Sequence, residues 1–386
     1  MKILQVISTW KGGAIRVAFD AAKALSHKGH KVTIYATDVR KENKDLDEEV
    51  IDNVHSLHAL CPVLAKKAKF YFTPEVISLA KNVQCFDVLH LHEYRTFQNI
   101  IFHFYATKYG VPYVLQAHGS LPSRVAKQSL KWIYDVFFGY RLLRDASKVI
   151  ALSPKEGEQY RAMGVPEEKI EVIPNGIDLS EYGDLPPKGD FKKRFGIERD
   201  EKIVLYLGRI HRGKGIDFLI KAYSCLLSSA NIRDTLLVIA GPDDGYLSEA
   251  KSLVSSHGLS RNVLFTGMLS QKDKTSAYVD SKVLINAEPS NVFGLVPLEA
   301  AACRTPVIVS DKNAISEPVL KGGFGFSVKY GDVAELAEIM KRMLINEDLL
   351  RQMGRKGREF TFRNFNWSNL IAEFEKVYEE AVTGAK

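Results

Sequence analysis

Cysteine is scarce in this chain and never clustered. Its 386 residues include four, Cys61, Cys85, Cys225 and Cys303, and no Cys-x-x-Cys occurs. That argues against a disulfide scaffold and a thiolate zinc site, and makes a reducing, cytoplasmic setting the expectation. Long apolar runs are missing too. No stretch approaches the roughly 20 apolar residues that span a bilayer. The opening run Met1–Ser8 is too short for a signal peptide and reads as a first β-strand. Membrane contact, if any, is expected to be peripheral, at an inner membrane face. Low-complexity segments and residue-level repeats are absent. So is a concentration of one charge. The net charge of +7 comes from 53 basic and 46 acidic residues scattered along the chain. With no nucleic-acid motif, that argues against a nucleic-acid partner. It leaves phosphates and acidic lipid surfaces as suitable anions.

Apolar residues are plentiful, at 46% of the chain. A single core rarely grows past about 250–300 residues, so two domains are expected. Residues 1–175 alternate strand-like and helix-like segments. The strands are Lys2–Ser8, Lys31–Ala36, Asp87–Leu91, Pro112–Ala117, Lys148–Leu152 and Lys169–Ile173. Helices fill 14–28, 95–109, 124–144 and 154–163. Residues 174–201, rich in proline and glycine at their start, read as the linker. A second series then runs through strands Lys202–Leu207, Leu236–Ala240, Asn262–Phe265, Lys282–Asn286 and Pro306–Val309. Its helices lie near 215–229, 246–257, 271–281, 294–303 and 332–345. The alternation predicts βαβ units, parallel sheets and an α/β fold of two Rossmann-like domains. The halves are 1–175 and 176–365, with a last amphipathic helix in 366–386. Ligands of such sheets bind beyond the carboxyl ends of the strands. Two of these domains facing across a cleft would line it with strand-to-helix loops.

Four loops carry candidate chemistry. Gly12-Gly13 follows the first strand, where small residues let a backbone approach a ligand and a helix N-terminus offers N–H groups to an anion. It is equally readable as a plain tight turn, and it lacks the GxGxxG spacing that would make Asp38 a ribose ligand. His118, in Ala117-His118-Gly119, sits at a strand's carboxyl end. It can hydrogen-bond a sugar hydroxyl, although a lone histidine is more often structural. His90 and His92 share a strand face, but no third metal ligand is evident, so a structural role is expected. In Gly208-Arg209-Ile210-His211-Arg212-Gly213-Lys214-Gly215, the cations Arg209 and Lys214 stand on a glycine-rich loop. A guanidinium fork and an ammonium point charge suit a diphosphate better than a merely solvated loop does. In Asn291-Val292-Phe293-Gly294-Leu295 through Glu299, the N–H groups of Gly294 and Leu295 would face an anion at a helix start. The Glu299 carboxylate can accept two hydrogen bonds from a ribose diol, or be an ordinary surface glutamate.

Taken together, these motifs resemble family 4 of the retaining glycosyltransferases, which have the GT-B fold. The resemblance covers nearly the whole chain. It rests on Gly12-Gly13, Ala117-His118-Gly119, Val172-Ile173-Pro174-Asn175-Gly176-Ile177-Asp178, Gly208-Arg209 with Lys214, and Phe293-Gly294-Leu295 through Glu299. It implies a nucleotide-sugar donor, no cofactor, no metal, and a glycan or lipid-linked acceptor, as in polysaccharide synthesis. Arg209 and Lys214 would bind the donor diphosphate, and Glu299 the ribose. Gly294 and Leu295 would meet phosphate or sugar, His118 the donor sugar, and Gly12 and Gly13 the diphosphate and acceptor entrance. The base would lie near Thr266-Gly267-Met268. The last helix would cross back onto the first domain. Asp243-Asp244 reads as a turn and not as a metal site.

The chain leaves the family pattern at Asn291, where a glutamate is usual. Asparagine keeps hydrogen-bonding capacity without the charge, which bears on sugar preference. Two rivals stand beside a glycosyltransferase: a sugar-nucleotide 2-epimerase, which resembles GT-B enzymes in fold, and a non-catalytic carbohydrate-binding relative, which Asn291 makes conceivable. Residues 121–144 interleave Arg124, Lys127, Lys131, Arg141 and Arg144 with Trp132, Ile133, Phe137, Phe138 and Tyr140. This pattern is either a basic amphipathic helix for an anionic membrane surface or a helix whose aromatic face packs into the first domain.

Overall fold

The computed structural model describes residues 1–8, 13–37, 53–57, 72–121, 128–229, 232, 234–289 and 293–384. The chain divides into two compact units. One is Met1–Gly176 with Trp367–Lys386, the other Ile177–Asn366.

The first unit is built on a parallel sheet of β1 (Lys2–Ile7), β2 (Lys31–Thr37), β3 (Asn53–Leu57), β4 (Val88–His92), β5 (Tyr113–Gln116), β6 (Lys148–Ala151) and β7 (Ile170–Val172). Its order is β3-β2-β1-β4-β5-β6-β7, with every pair parallel. The strands are almost continuously apolar, as strands covered on both faces must be. β3, which the sequence reading passed over, is the edge strand, where the alternation Asn53-Val54-His55-Ser56-Leu57 gives no buried run. Helices start where side chains can cap them. The Thr96 side chain accepts from the Asn99 N–H at the start of Phe97–Tyr109, and Ser153 from Glu156 at the start of Pro154–Ala162. The last helix, Trp367–Thr383, packs in this unit. The Tyr378 hydroxyl lies 2.8 Å from His90 Nδ1, and Phe374 is fully buried beside it.

The second unit has β8 (Lys202–Leu207), β9 (Thr235–Ala240), β10 (Val263–Gly267), β11 (Ser281–Asn286), β12 (Val307–Ser310) and β13 (Gly325–Val328). They form a parallel sheet in the order β10-β9-β8-β11-β12-β13. Residues 177–201, expected as part of a linker, are folded into this unit. Leu179, Tyr182 and Phe191 are buried, and the Asp280 carboxylate accepts from the N–H groups of Gly189 (2.5 Å) and Lys192 (3.1 Å). The prolines and glycines there shape short turns against a core. An 18-residue helix, Glu347–Asn364, was also absent from the sequence reading. Its buried stripe is thin and partly glycine. A Cβ on Gly354 would strike the Arg304 carbonyl, and one on Gly357 the Phe324 side chain. Glycine is a poor helix former and adds no apolar side chain, so the helical period is hard to see.

The segment 128–145 is one helical run with a π-turn at its centre: Gln128–Tyr134, Asp135–Gly139 and Tyr140–Asp145. Its inner side is pinned. Asp135 makes a bidentate pair with Arg95 (2.9 and 2.7 Å), and Gly139 lies against the Tyr94 hydroxyl. The aromatic residues do not pack inward as one of the two sequence readings had it; Trp132 and Phe137 are 63% and 62% exposed.

Candidate active site

In the second sheet the chain steps from β8 outward to β9 and β10. It then returns to β11 on the other side of β8 and continues to β12 and β13. The β8/β11 boundary is thus a topological switch point, where the loops leave the sheet in opposite directions and open a crevice. The Arg209–Lys214 loop follows β8, and Ala287-Glu288 follows β11. They are held together tightly. Gly215 has φ +69°, and any Cβ there would run into the Ala287 carbonyl oxygen. Gly241, at the end of β9, is likewise pressed on the Gly208 carbonyl. Glycine at these positions is a packing requirement of the crevice.

Each cation of the loop has a carboxylate partner. The Lys214 ammonium donates to Glu288 Oε2 at 2.7 Å. Arg209, 54% exposed, pairs with Asp244 on the loop after β9. The Tyr206 hydroxyl donates to the Arg209 carbonyl at 2.9 Å. Its pKa is raised by burial and then by the Glu288 carboxylate, while Arg209 acts the other way. Asp243 is occupied in capping: it accepts from the N–H groups of Gly245, Tyr246 and Leu247 at 2.9–3.1 Å. His211 Nδ1 accepts from Gly213 at 3.0 Å and fixes the turn that delivers Lys214.

Gly294 precedes the helix Leu295–Ala302 as its N-terminal flanking residue. The first N–H groups of such a helix have no carbonyl above them in the helix, so they are available to an anion. Asn291 lies outside the described residues, as does Gly12; Gly13 begins the helix Gly13–His27. Glu299 is not a surface glutamate. It is 4% exposed, and its oxygens accept from Lys274 Nζ (3.1 Å) and the Tyr278 hydroxyl (2.7 Å). Both partners come from the helix Gln271–Asp280. Burial, then Glu299, pushes the neighbouring Cys303 thiol up to about 12. At the end of β10, Thr266 is half-buried and Gly267 and Met268 are exposed.

The first unit has its own switch point, between β1 and β4. There Ser8 donates to the carboxylate of Glu93, a non-glycine residue at φ +63° whose pKa is raised by burial. His118 follows the next strand, β5, also with positive φ, +50°. Its loop is fastened from below: Glu156 accepts from Gly119 N–H (2.6 Å), and Tyr160 stands 2.8 Å from Ala117 N. His118 Nε2 is 2.9 Å from His92 Nδ1, and the two rings stack. His92 and His118, separate candidates in the sequence, are neighbours in the structure. Burial holds His118 and His90 down at about 3, and burial with the adjacent histidines holds His92 well below the ordinary value. All three are neutral at physiological pH. His118 can therefore offer a hydrogen bond but not a charge.

Glu288, Lys274, Tyr278 and Glu93 were not singled out from sequence. Glu288 and Glu93 carried a signal: each is an acidic residue within two positions of the end of a buried strand. Lys274 and Tyr278 carried none beyond ordinary helical spacing.

Comparison with known proteins decides the class. The model described as Glycosyltransferase Family 4 matches residues 11–181, and that described as Glycosyl transferases group 1 matches 187–360. The chain belongs to this glycosyltransferase family. The glycosyltransferase is 27% identical over 313 residues to an uncharacterised glycosyltransferase of Methanocaldococcus jannaschii, covering 78% of this chain and 77% of that one. It is also 27% identical over 322 residues to alpha-maltose-1-phosphate synthase of Mycolicibacterium smegmatis, covering 79% and 81%. Among solved structures, Anabaena HepE in complex with UDP superposes with a TM-score of 0.81 at 20% identity, over 97% and 99% of the two chains. Sucrose-phosphate synthase of Thermosynechococcus elongatus gives 0.79 at 21% identity, over the full length of both. These likenesses establish a two-domain α/β GT-B fold. No helix among the described residues is long and apolar enough to cross a membrane.

Proposed function

We propose that this glycosyltransferase moves a hexose-type sugar from a nucleoside-diphosphate donor to a glycan or lipid-linked acceptor, without a metal and with retention at the anomeric carbon. The observation that carries the reading is the placement of Arg209 and Lys214 at the β8/β11 switch point, on a loop packed against Ala287-Glu288, the start of the segment that leads from β11 to the helix Leu295–Ala302. Cations and helix N–H groups are both donors to phosphate oxygens, and a preorganised set of them stabilises charge that develops on a leaving group. Glu299 takes the ribose side, with the N–H groups of Gly294 and Leu295 and the side chain of Asn291 toward phosphate and sugar. Gly12 and Gly13 border the diphosphate and acceptor entrance. His118, neutral, donates to or accepts from the sugar, and the Ser8–Glu93 pair belongs to the acceptor side.

In the reaction the bond between the anomeric carbon and the β-phosphate oxygen breaks. A bond from the acceptor hydroxyl oxygen forms on the same face. The hydroxyl proton passes to the departing diphosphate, which keeps the bonding electron pair. Arg209 and Lys214 hold the negative charge that results.

The test is donor turnover across a panel of nucleotide-sugars, beginning with uridine donors because HepE was solved with UDP. Nucleoside diphosphate should be released, and NMR of the transferred sugar should show retained configuration. Inverted product would overturn the retaining assignment. An isomerised donor without release would point instead to 2-epimerisation. No turnover of any donor would contradict the reading.

A further inference from the structure

We infer that the outer side of the helical run 128–145 is a docking surface for an anionic lipid bilayer. This goes beyond the donor reading and does not depend on it. Leu130, Trp132, Ile133, Phe137, Phe138 and Tyr140 are all exposed within eleven residues, Leu130 and Trp132 at 63% each. Scattered exposed apolar side chains are ordinary, but six of them in one short helical run are not. The opposite side of the same run is fully used. Asp135 is locked to Arg95, Gly139 sits on Tyr94, and Leu142 and Leu143 are buried. The apolar side is thus held outward by a rigid anchor. The π-turn at Asp135–Gly139 is part of that anchor, since it contains both pinned residues.

The charges choose the occupant. Ile133, Phe137 and Arg141, and Trp132, Val136, Tyr140 and Arg144, recur at steps of four residues, and all are exposed. Each row therefore ends in an arginine. Between residues 121 and 145 the sequence has five basic residues and two acidic ones. Asp135 is buried against Arg95, and Asp145 is taken up by Arg144 at 2.8 Å and His103 at 3.0 Å. That leaves Arg141 as the arginine of the face without a carboxylate beside it among the described residues, and a net positive charge on the run. Phe104 and Lys108 are exposed on the helix Phe97–Tyr109, which packs beside Tyr140–Asp145. Tryptophan and tyrosine place an apolar ring and a polar edge at the level of lipid headgroups. Arginine reaches from the apolar side to the phosphates, and its attraction adds to apolar burial. A protein surface would need carboxylates set opposite these arginines, whereas an anionic leaflet supplies negative charge wherever they fall.

The experiment is co-sedimentation of the full chain with phosphatidylglycerol-containing vesicles and with phosphatidylcholine-only vesicles. Two variants accompany it, Trp132→Ser with Phe137→Ser, and Arg141→Glu with Arg144→Glu. Donor turnover in both variants reports that they are folded. The expected result is binding to the anionic vesicles only, reduced about tenfold or more in each variant and weakened by salt. Several results would overturn the inference. These are no binding of the unmodified chain to anionic vesicles, equal binding to neutral ones, or unchanged binding in the variants. A self-associating chain made monomeric by the serine pair, with no lipid binding, would assign the face to a second copy instead. Loss of lipid binding with turnover intact separates this inference from the donor assignment.

Discussion

Lys214 Nζ stands 2.7 Å from Glu288 Oε2, so the ammonium proposed to hold the donor diphosphate already has a carboxylate partner. The side chains are 22% and 11% exposed, which makes this more than a solvated surface pair. An ammonium has three donors, and Glu288 uses one. Glu288 therefore aims Lys214 from the end of β11 and leaves donors for phosphate. Arg209 and Asp244 repeat the arrangement one strand over. Lys214→Ala should lower turnover by about 10²–10³, the scale of removing one preorganised charge stabiliser. Glu288→Gln should lower it less, because the ammonium remains. Steady-state kinetics check this; unchanged turnover in Lys214→Ala removes the diphosphate role.

Glu299 combines a structural and a proposed binding task, and two variants separate them. Glu299→Gln keeps the Tyr278 hydrogen bond but strands the Lys274 charge, whose side chain is 13% exposed. Breaking a buried pair from one side costs about 3 kcal/mol. Denaturant titration should show a loss of that order. Glu299→Gln with Lys274→Met removes the stranded charge and should recover stability. It should not recover donor affinity. If affinity returned with stability, Glu299 would be a packing residue only.

Gly215→Ala tests how closely the β8 and β11 loops must approach. The added methyl meets the Ala287 carbonyl, and φ is +69°. The two penalties together should cost about 2 kcal/mol or more. Donor affinity should fall as well, because Lys214 is the preceding residue. Gly164→Ala has a similarly left-handed φ of +85° but open space around it. It should be milder. Equal effects in the two would mean that backbone strain alone is being measured.

Three histidines of the first unit, His90 and His92 buried and His118 half-buried, set an acid limit. Folding holds His90 and His118 down at about 3 from the ordinary 6.5. Between these values the unfolded chain binds more protons than the folded one. Stability is therefore greatest above the unfolded value and declines as pH falls through the window. Denaturation midpoints should be lower at about pH 5 than at about pH 7. His92→Gln removes one depressed group and should reduce the difference. An unaltered pH slope would place the acid sensitivity elsewhere.

The Rossmann-like halves were legible because central parallel strands are buried on both faces and read as apolar runs. β3 was not, being an edge strand with three polar residues in five. The Glu347–Asn364 helix was hidden by glycines that serve as contact surface. At the site, Arg209 and Lys214 stood out because charge on a glycine loop after a strand is unusual. Their partners did not. Glu288 is 74 positions from Lys214, and only the sheet order brings β11 beside β8. The burial of Glu299 was illegible for the same reason, since it depends on how the helix Gln271–Asp280 lies against it. The 130–140 aromatics failed differently. Periodicity identifies an apolar face, but whether that face is covered depends on what packs there.

The most direct measurement of the central claim is thermal stabilisation by a panel of nucleotide-sugars, in the unmodified enzyme and in Arg209→Ala with Lys214→Ala. A ligand that binds only the folded state raises the melting temperature in proportion to its affinity. At least one nucleoside-diphosphate sugar should raise that of the unmodified enzyme, and the double variant should lose most of the shift while remaining folded. No shift with any donor, or an equal shift in both proteins, would contradict the assignment of the diphosphate to the β8/β11 crevice.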